Sequence, residues 1–175
     1  MQKVIRFLMI FLIAASASSF ISPNKEKINW ISITELNKLY NKEPRPILLD
    51  VYTDWCGWCK EMDRTTYQND KLADYINTHY YAVKFNAESR DSISFNNKKY
   101  GYNARYKSNE LAQYFLFGQM QYPTTVFLST IDAQPAPLPG YLSAKDMEAP
   151  IRFFGDGAYK TKTFVEYNKT MKKEW

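Results

Sequence analysis

The chain has 175 residues, 45% of them apolar and 17% aromatic, which excludes a disordered or fibrous protein and suffices for one domain with a core. The formal charge is +5, and +3 once Lys3 and Arg6 are set aside, too mild a balance to argue for a nucleic-acid partner. With two cysteines and one histidine, His79, the chain lacks the four ligands of a structural zinc site, so no metal and no cofactor is expected.

The first element is a leader. Lys3 and Arg6 make a short basic start, Phe7 to Ala15 is an uncharged apolar run, and Ala15-Ser16-Ala17 supplies small residues at a cleavage point. A spanning helix needs about 20 apolar residues, more than this run holds, so residues 1–19 read as a secretory signal peptide and 20–175 as the exported domain, with an uncleaved membrane anchor as the competing reading. No cysteine stands near the cut to take a lipid, and the C-terminal Lys173-Glu174-Trp175 is not a retention signal.

Ser32-Ile33-Thr34-Glu35 has capping-box spacing and predicts a helix to about Lys42, ended by Pro44 and Pro46. Ile47 to Tyr52 reads as a central strand buried on both faces. A second helix starts at the cysteine motif and carries Met62; a third is capped by Asn69 or Asp70, with Leu72, Tyr75 and Ile76 inward and His79 at its far surface end. Tyr80 to Asn86 alternates as a second strand, and Glu88 to Tyr106 has no clean period. Asn109 to Phe117 reads as a helix and Thr124 to Leu128 as a β-branched strand. Asp132 to Pro139 reads as a proline-rich turn, with Gly140-Tyr141-Leu142 as an edge strand. Ser143 and Asp146 open a helix that Pro150 kinks or restarts, Gly155 and Gly157 break the chain, and Thr163 to Lys173 forms a last helix with Lys169 to Lys173 on a solvated face. This order of helices and strands predicts an α/β sandwich around one mixed sheet.

Trp55-Cys56-Gly57-Trp58-Cys59-Lys60 ends a predicted strand and opens a predicted helix. A three-residue offset sets both sulfurs on one helix face. The first then lies at the helix N-terminus, where unpaired N–H groups and the helix dipole favour a thiolate, the reactive form of cysteine. Cys56 is therefore the expected nucleophile toward a partner disulfide, and Cys59 the thiol that resolves the mixed disulfide; the first needs access and the second shelter. A staple is a poor alternative, because bridging residues three apart closes almost no loop.

The segment Ile47 to Lys60 resembles the thioredoxin active-site segment, and most of all that of exported bacterial thioredoxin-like proteins, among them the C-terminal domain of the disulfide reductase DsbD. Further landmarks follow in thioredoxin order: Asp50 behind the cysteines, Lys84 near that acid, Tyr122-Pro123-Thr124 as a cis-proline loop, and Gly140 with Leu142-Ser143 before a late helix. The resemblance covers about residues 31–154 and implies a thioredoxin-like fold, with an insertion before the cis-proline loop and a C-terminal helical extension. It implies that Asp50, its pKa raised by burial, takes the proton of Cys59, that Lys84 offsets the buried acid, and that a cis Tyr122–Pro123 bond presents the Tyr122 backbone to an extended partner, beside a contact surface of Trp55, Gly57 and Trp58. It also implies an exported oxidoreductase of the bacterial periplasm, with disulfide-bearing client proteins as substrates and a membrane thiol reductase as electron donor. Net oxidation or isomerisation, or a binding module without redox turnover, are the alternatives.

Two departures stand out. Thioredoxin has Pro where Trp58 stands, and Trp58 either widens the contact surface or packs on its own helix. The stretch from Asn86 to Pro123 is longer by roughly twenty residues, and this insertion (88–118) either selects partners or decorates the fold.

Overall fold

The computed structural model describes residues 27–175; the leader 1–19 and the boundary at residue 20 lie outside them. The sheet that places the cysteines has four strands in the order β2-β1-β7-β8, where β1 is Ile47–Tyr52, β2 Tyr81–Asn86, β7 Thr124–Leu128 and β8 Ala136–Pro139. β1 runs parallel to β2, with Asp50 opposite Lys84, and antiparallel to β7, with Asp50 opposite Thr125.

Side chains alternate across a strand, so β1 feeds two cores. Ile47, Leu49 and Val51 enter one, which α1 (Ile33–Tyr40) and α4 (Glu110–Phe115) cover with Ile33, Leu36, Leu111 and Phe115. Leu48 enters the other, under α2 (Gly57–Arg64), α3 (Asp70–His79) and α5 (Ala144–Gly155), which contribute Met62, Leu72, Ile76, Met147 and Ile151. Helices on both faces explain why β1 is a continuous apolar run broken only by Asp50.

Local signals set the helix ends. Ser32 accepts from the Glu35 N–H at 3.1 Å, Asn69 from Leu72 N–H at 3.0 Å and Ser143 from Asp146 N–H at 3.3 Å. Thr163 and Glu166 form a full capping box on α6 (Phe164–Thr170). His79 ends α3 with its ring stacked on Tyr75 at 4.0 Å.

Four expectations need correction. The stretch Asp132 to Pro139 is not all turn, and the edge strand is not at Gly140 to Leu142: the strand is β8, Ala136–Pro139. Pro137 and Pro139 both point their missing N–H away from β7, which a solvent-side edge permits, and Gly140, at φ +97°, ends the strand. The segment without a period holds a hairpin, β3 (Ile93–Phe95) and β4 (Lys98–Tyr100), turned by Asn96 and Asn97 at φ +45° and +60°. It also holds the short ladder of β5 (Tyr102–Asn103) and β6 (Ser108–Asn109). α5 runs through Pro150 without a break; it is buried along one side and capped by Ser143. The last helix, Phe164–Thr170, stops before Lys172 and Lys173, so the basic cluster is not one helix face.

Candidate active site

β1 carries Asp50 into the core and, after Thr53 to Trp55, hands the chain to α2. Cys56 is the N-cap of α2, its Sγ accepting the Cys59 N–H at 3.1 Å, and a disulfide joins it to Cys59 with the Cα atoms 5.3 Å apart. The first sulfur thus occupies the anion-favouring end of the helix. Exposure does not separate the two cysteines as expected: Cys56 is 5% exposed and Cys59 2%. Their hydrogen bonding does, because only Cys56 caps the helix.

The flanking surface is aromatic. Trp55 and Trp58 are 67% and 63% exposed. The Trp55 ring meets Tyr122 edge to face at 5.9 Å, and Trp58 leans on Tyr141 at 5.5 Å. Of the two roles open to Trp58, it contributes surface and packs only lightly. A Cβ at Gly57 would meet nothing within 4 Å, so the glycine leaves open space beside the cysteines. The Tyr122–Pro123 bond is cis, and the Pro123 carbonyl accepts the Gly140 N–H at 2.8 Å, which ties this loop to the end of β8.

Beneath lies a charge cluster built on one buried acid, with Lys84 and Asp63 partly exposed. Asp50 is buried and its Oδ1 has no hydrogen-bond partner among the described residues. Burial raises its pKa to about 6, against the pull of Lys84 and with the help of the Asp63 charge. Lys84 Nζ stands 3.5 Å from Asp50 Oδ2 and also pairs with Asp63 Oδ1, under the rings of Trp30, Tyr52 and Tyr67. Parallel pairing of β1 and β2 puts Lys84 opposite Asp50.

Asp63 is the site residue that sequence reasoning misses. Its signal was available: it follows Cys59 by four residues, hence on the same face of α2. Glu88 is a second omission; its Oε1 accepts the Trp55 indole N–H at 3.0 Å.

A four-stranded mixed sheet between helices, with a CxxC disulfide at a helix start and a cis-proline loop beside it, is a thioredoxin fold. Solved structures agree on the fold. A thioredoxin-fold protein from Helicobacter pylori superposes with a TM-score of 0.55 at 24% identity, covering 71% of this chain and 78% of that one. A thioredoxin from Thermus thermophilus gives 0.54 at 14% identity, covering 83% and 98%. A protein described as DsbH Oxidoreductase gives 0.51 at 16% identity, covering 77% and 86%.

The family model Thioredox_DsbH, described as a protein of unknown function, DUF255, matches residues 11–155, and the chain belongs to that thioredoxin-like thiol–disulfide family. A 45-residue stretch is 36% identical to the thiol:disulfide interchange protein DsbD of Pectobacterium atrosepticum; it is 26% of this chain and only 8% of that protein's length.

Proposed function

We propose that this protein is an exported thiol–disulfide oxidoreductase that reduces or exchanges disulfides in periplasmic client proteins through Cys56 and Cys59. One observation carries the reading: the Cys56 sulfur caps α2 and is bonded to the sulfur one turn behind it, with a buried acid of raised pKa on the strand that leads into this helix.

In the reduced protein, the Cys56 thiolate attacks one sulfur of a client disulfide. A mixed disulfide forms, and the other client sulfur leaves as a thiolate. Cys59 then gives its proton to the Asp50 carboxylate and attacks Cys56 Sγ. The Cys56–Cys59 disulfide forms and the second client thiolate leaves, so two electrons have passed from the pair to the client. Lys84, shared between Asp50 and Asp63, steadies the charge that Asp50 carries before it takes the proton. Trp55, Gly57, Trp58 and the Tyr122–Pro123 loop form the client-facing rim.

The pair must be reduced again from outside, and a membrane dithiol donor supplies the electrons in this scheme. The short stretch shared with a thiol:disulfide interchange protein supports such a chain of exchanges. The apolar leader 1–19, which precedes the domain 20–175, supports export. No helix among the described residues is long and apolar enough to cross a membrane.

The test is trapping. Cys59→Ser, expressed with its leader, is expected to accumulate mixed disulfides with exported proteins that dissolve on reduction, while Cys56→Ser traps none. A Cys59→Ser variant without covalent partners would identify a binding module instead. The reduction potential of the pair, measured against glutathione, decides direction: a value well above that of the compartment would make the protein an oxidant.

A further inference from the structure

Glu88 leaves the C-terminal end of β2 where the chain enters the insertion. Its backbone surroundings are tied down on both sides. The Ala87 N–H donates to Tyr52 O at 2.8 Å, and the Ala87 carbonyl accepts the Asn109 N–H at 2.7 Å. The Glu88 N–H donates to Asn86 Oδ1 at 2.9 Å. One residue on, the Ser89 carbonyl accepts Asn109 Nδ2 at 3.1 Å, and the Asp91 carbonyl accepts the same amide group at 3.0 Å. Asn109 is completely buried and also N-caps α4 through Oδ1, which accepts Leu111 N–H at 3.0 Å. A single side chain of the insertion thereby fastens the turn that carries Glu88.

What Glu88 does with this fixed position is specific. Its carboxylate takes the indole N–H of Trp55, the residue immediately before the nucleophile. An exposed indole would otherwise bond to water and turn about its side-chain torsions. Held at one end by Glu88, the ring stands edge to face against Tyr122, the residue of the cis peptide. Trp55 adjoins Cys56 in the chain, and Cys56 has only 5% of its surface open, so the ring stands among the groups a bulky partner meets on its way to the sulfur.

We propose that Glu88 is a positioning residue for exchange with polypeptide disulfides: by holding Trp55 across Tyr122 it builds the apolar lip on which an extended partner lies while its disulfide meets Cys56. The inference rests on the oxidoreductase reading and gives the insertion a stated role, that of fixing the lip through Asn109. It separates substrates by size. A polypeptide needs the lip, whereas a small disulfide reaches the sulfur without it.

Glu88→Ala and Glu88→Gln are compared with wild type on two substrates, the disulfides of insulin and 2-hydroxyethyl disulfide. Glu88→Ala is expected to lose about tenfold in kcat/KM on insulin, mainly through KM, which is about 1.4 kcal/mol. It loses less than about twofold on the small disulfide. Glu88→Gln keeps an oxygen acceptor for the indole and recovers most of the insulin rate. The Trp55 indole N–H resonance, assigned through Trp55→Phe, shifts in the alanine variant and returns toward its place in the glutamine variant. Equal losses on both substrates, an unchanged insulin rate in Glu88→Ala, or an unmoved indole resonance would each overturn the proposal. Wild-type protein inert toward both disulfides would instead overturn the oxidoreductase reading.

Discussion

Asp50 is the residue where fold stability and the proposed chemistry oppose each other. An unfolded chain gives up this proton near pH 3.8, whereas the folded protein holds it to about pH 6 because burial penalises the anion. Between those values the folded state binds more protons than the unfolded state, so stability falls as pH rises through the window. Below it Asp50 is protonated in both states and contributes nothing; above it the loss reaches about 3 kcal/mol. Asp50→Asn is therefore expected to raise stability at pH 7 by an amount up to that size and to leave it unchanged near pH 3.5. Denaturant unfolding at the two pH values checks this, and an equal gain at both would contradict it. Lys84 keeps Asp63 as a partner in the variant, so no ammonium is stranded. The same substitution should slow release of a trapped mixed disulfide on the order of a hundredfold while changing the first attack far less. Rapid-mixing kinetics with a fluorescent disulfide separates the two steps. Equal slowing would mean that Asp50 does not take the Cys59 proton.

At the scale of elements, the insertion is partly core and partly scaffold. Phe95 from β3 and Leu111, Ala112 and Phe115 from α4 are buried against the sheet, so this segment closes one face of the molecule and is not decoration. Asn109 joins its parts. Asn109→Ala removes the N-cap of α4, which costs about 1 kcal/mol, and strips the Ser89 and Asp91 carbonyls of a buried donor, costing about 1–3 kcal/mol more. A fall in melting temperature accompanied by the Trp55 resonance shift of Glu88→Ala is the expected result; destabilisation with Trp55 unmoved would show that the turn holds its shape without Asn109. The strands and helices around the cysteines are legible in the sequence because each is set by a local signal: β1 by an apolar run broken only by Asp50, α1 and α3 by Ser32 and Asn69, α2 by the motif. The hairpin of Ile93 to Tyr100 is too short to announce itself, because Ile93-Ser94-Phe95 alternates over three residues only and its partner strand opens with Lys98 and Lys99, although Asn96-Asn97 is the turn signal of a tight hairpin. β8 is hidden by the two prolines that only an edge position tolerates. The roles of Asp63 and Glu88 are hidden for a different reason, although the four-residue spacing from Cys59 already places Asp63 on the cysteine face of α2. Each works through a partner distant in sequence, Lys84 and Trp55, and such pairs exist only once β2 lies beside β1.

The whole molecule is closed on its second face by a tail that comes back over α3 and α5. Glu148 is fully buried in α5, yet it faces donors: the Glu174 N–H at 2.8 Å, the Trp175 N–H at 3.1 Å, and Arg152 at 3.3 Å. Arg152 in turn lies over the rings of Tyr75 and Trp175 and pairs with Glu174 at 3.0 Å, while Lys71 donates to the Glu174 carbonyl at 2.7 Å. A buried carboxylate is tolerated only while its hydrogen bonds are met. Deleting residues 171–175 would take away both backbone donors and the ring that covers them, leaving Arg152 as the one remaining partner of Glu148 among the described residues. The expected loss is about 2–4 kcal/mol, toward the size seen when one side of a buried ionic arrangement is removed. Among the described residues, the tail's partners Lys71, Tyr75, Glu148 and Arg152 make no hydrogen bond, ion pair or ring contact with Cys56, Cys59, Trp55 or Tyr122, so exchange of a small disulfide by the folded fraction should stay within about twofold. Glu148→Gln in the shortened chain separates the causes, because an amide tolerates the loss of donors better than an anion. If the tail acts through Glu148, this second change returns part of the lost stability. If the tail acts only by covering apolar surface, it returns none, and chemical unfolding of the three proteins at pH 7 decides between them.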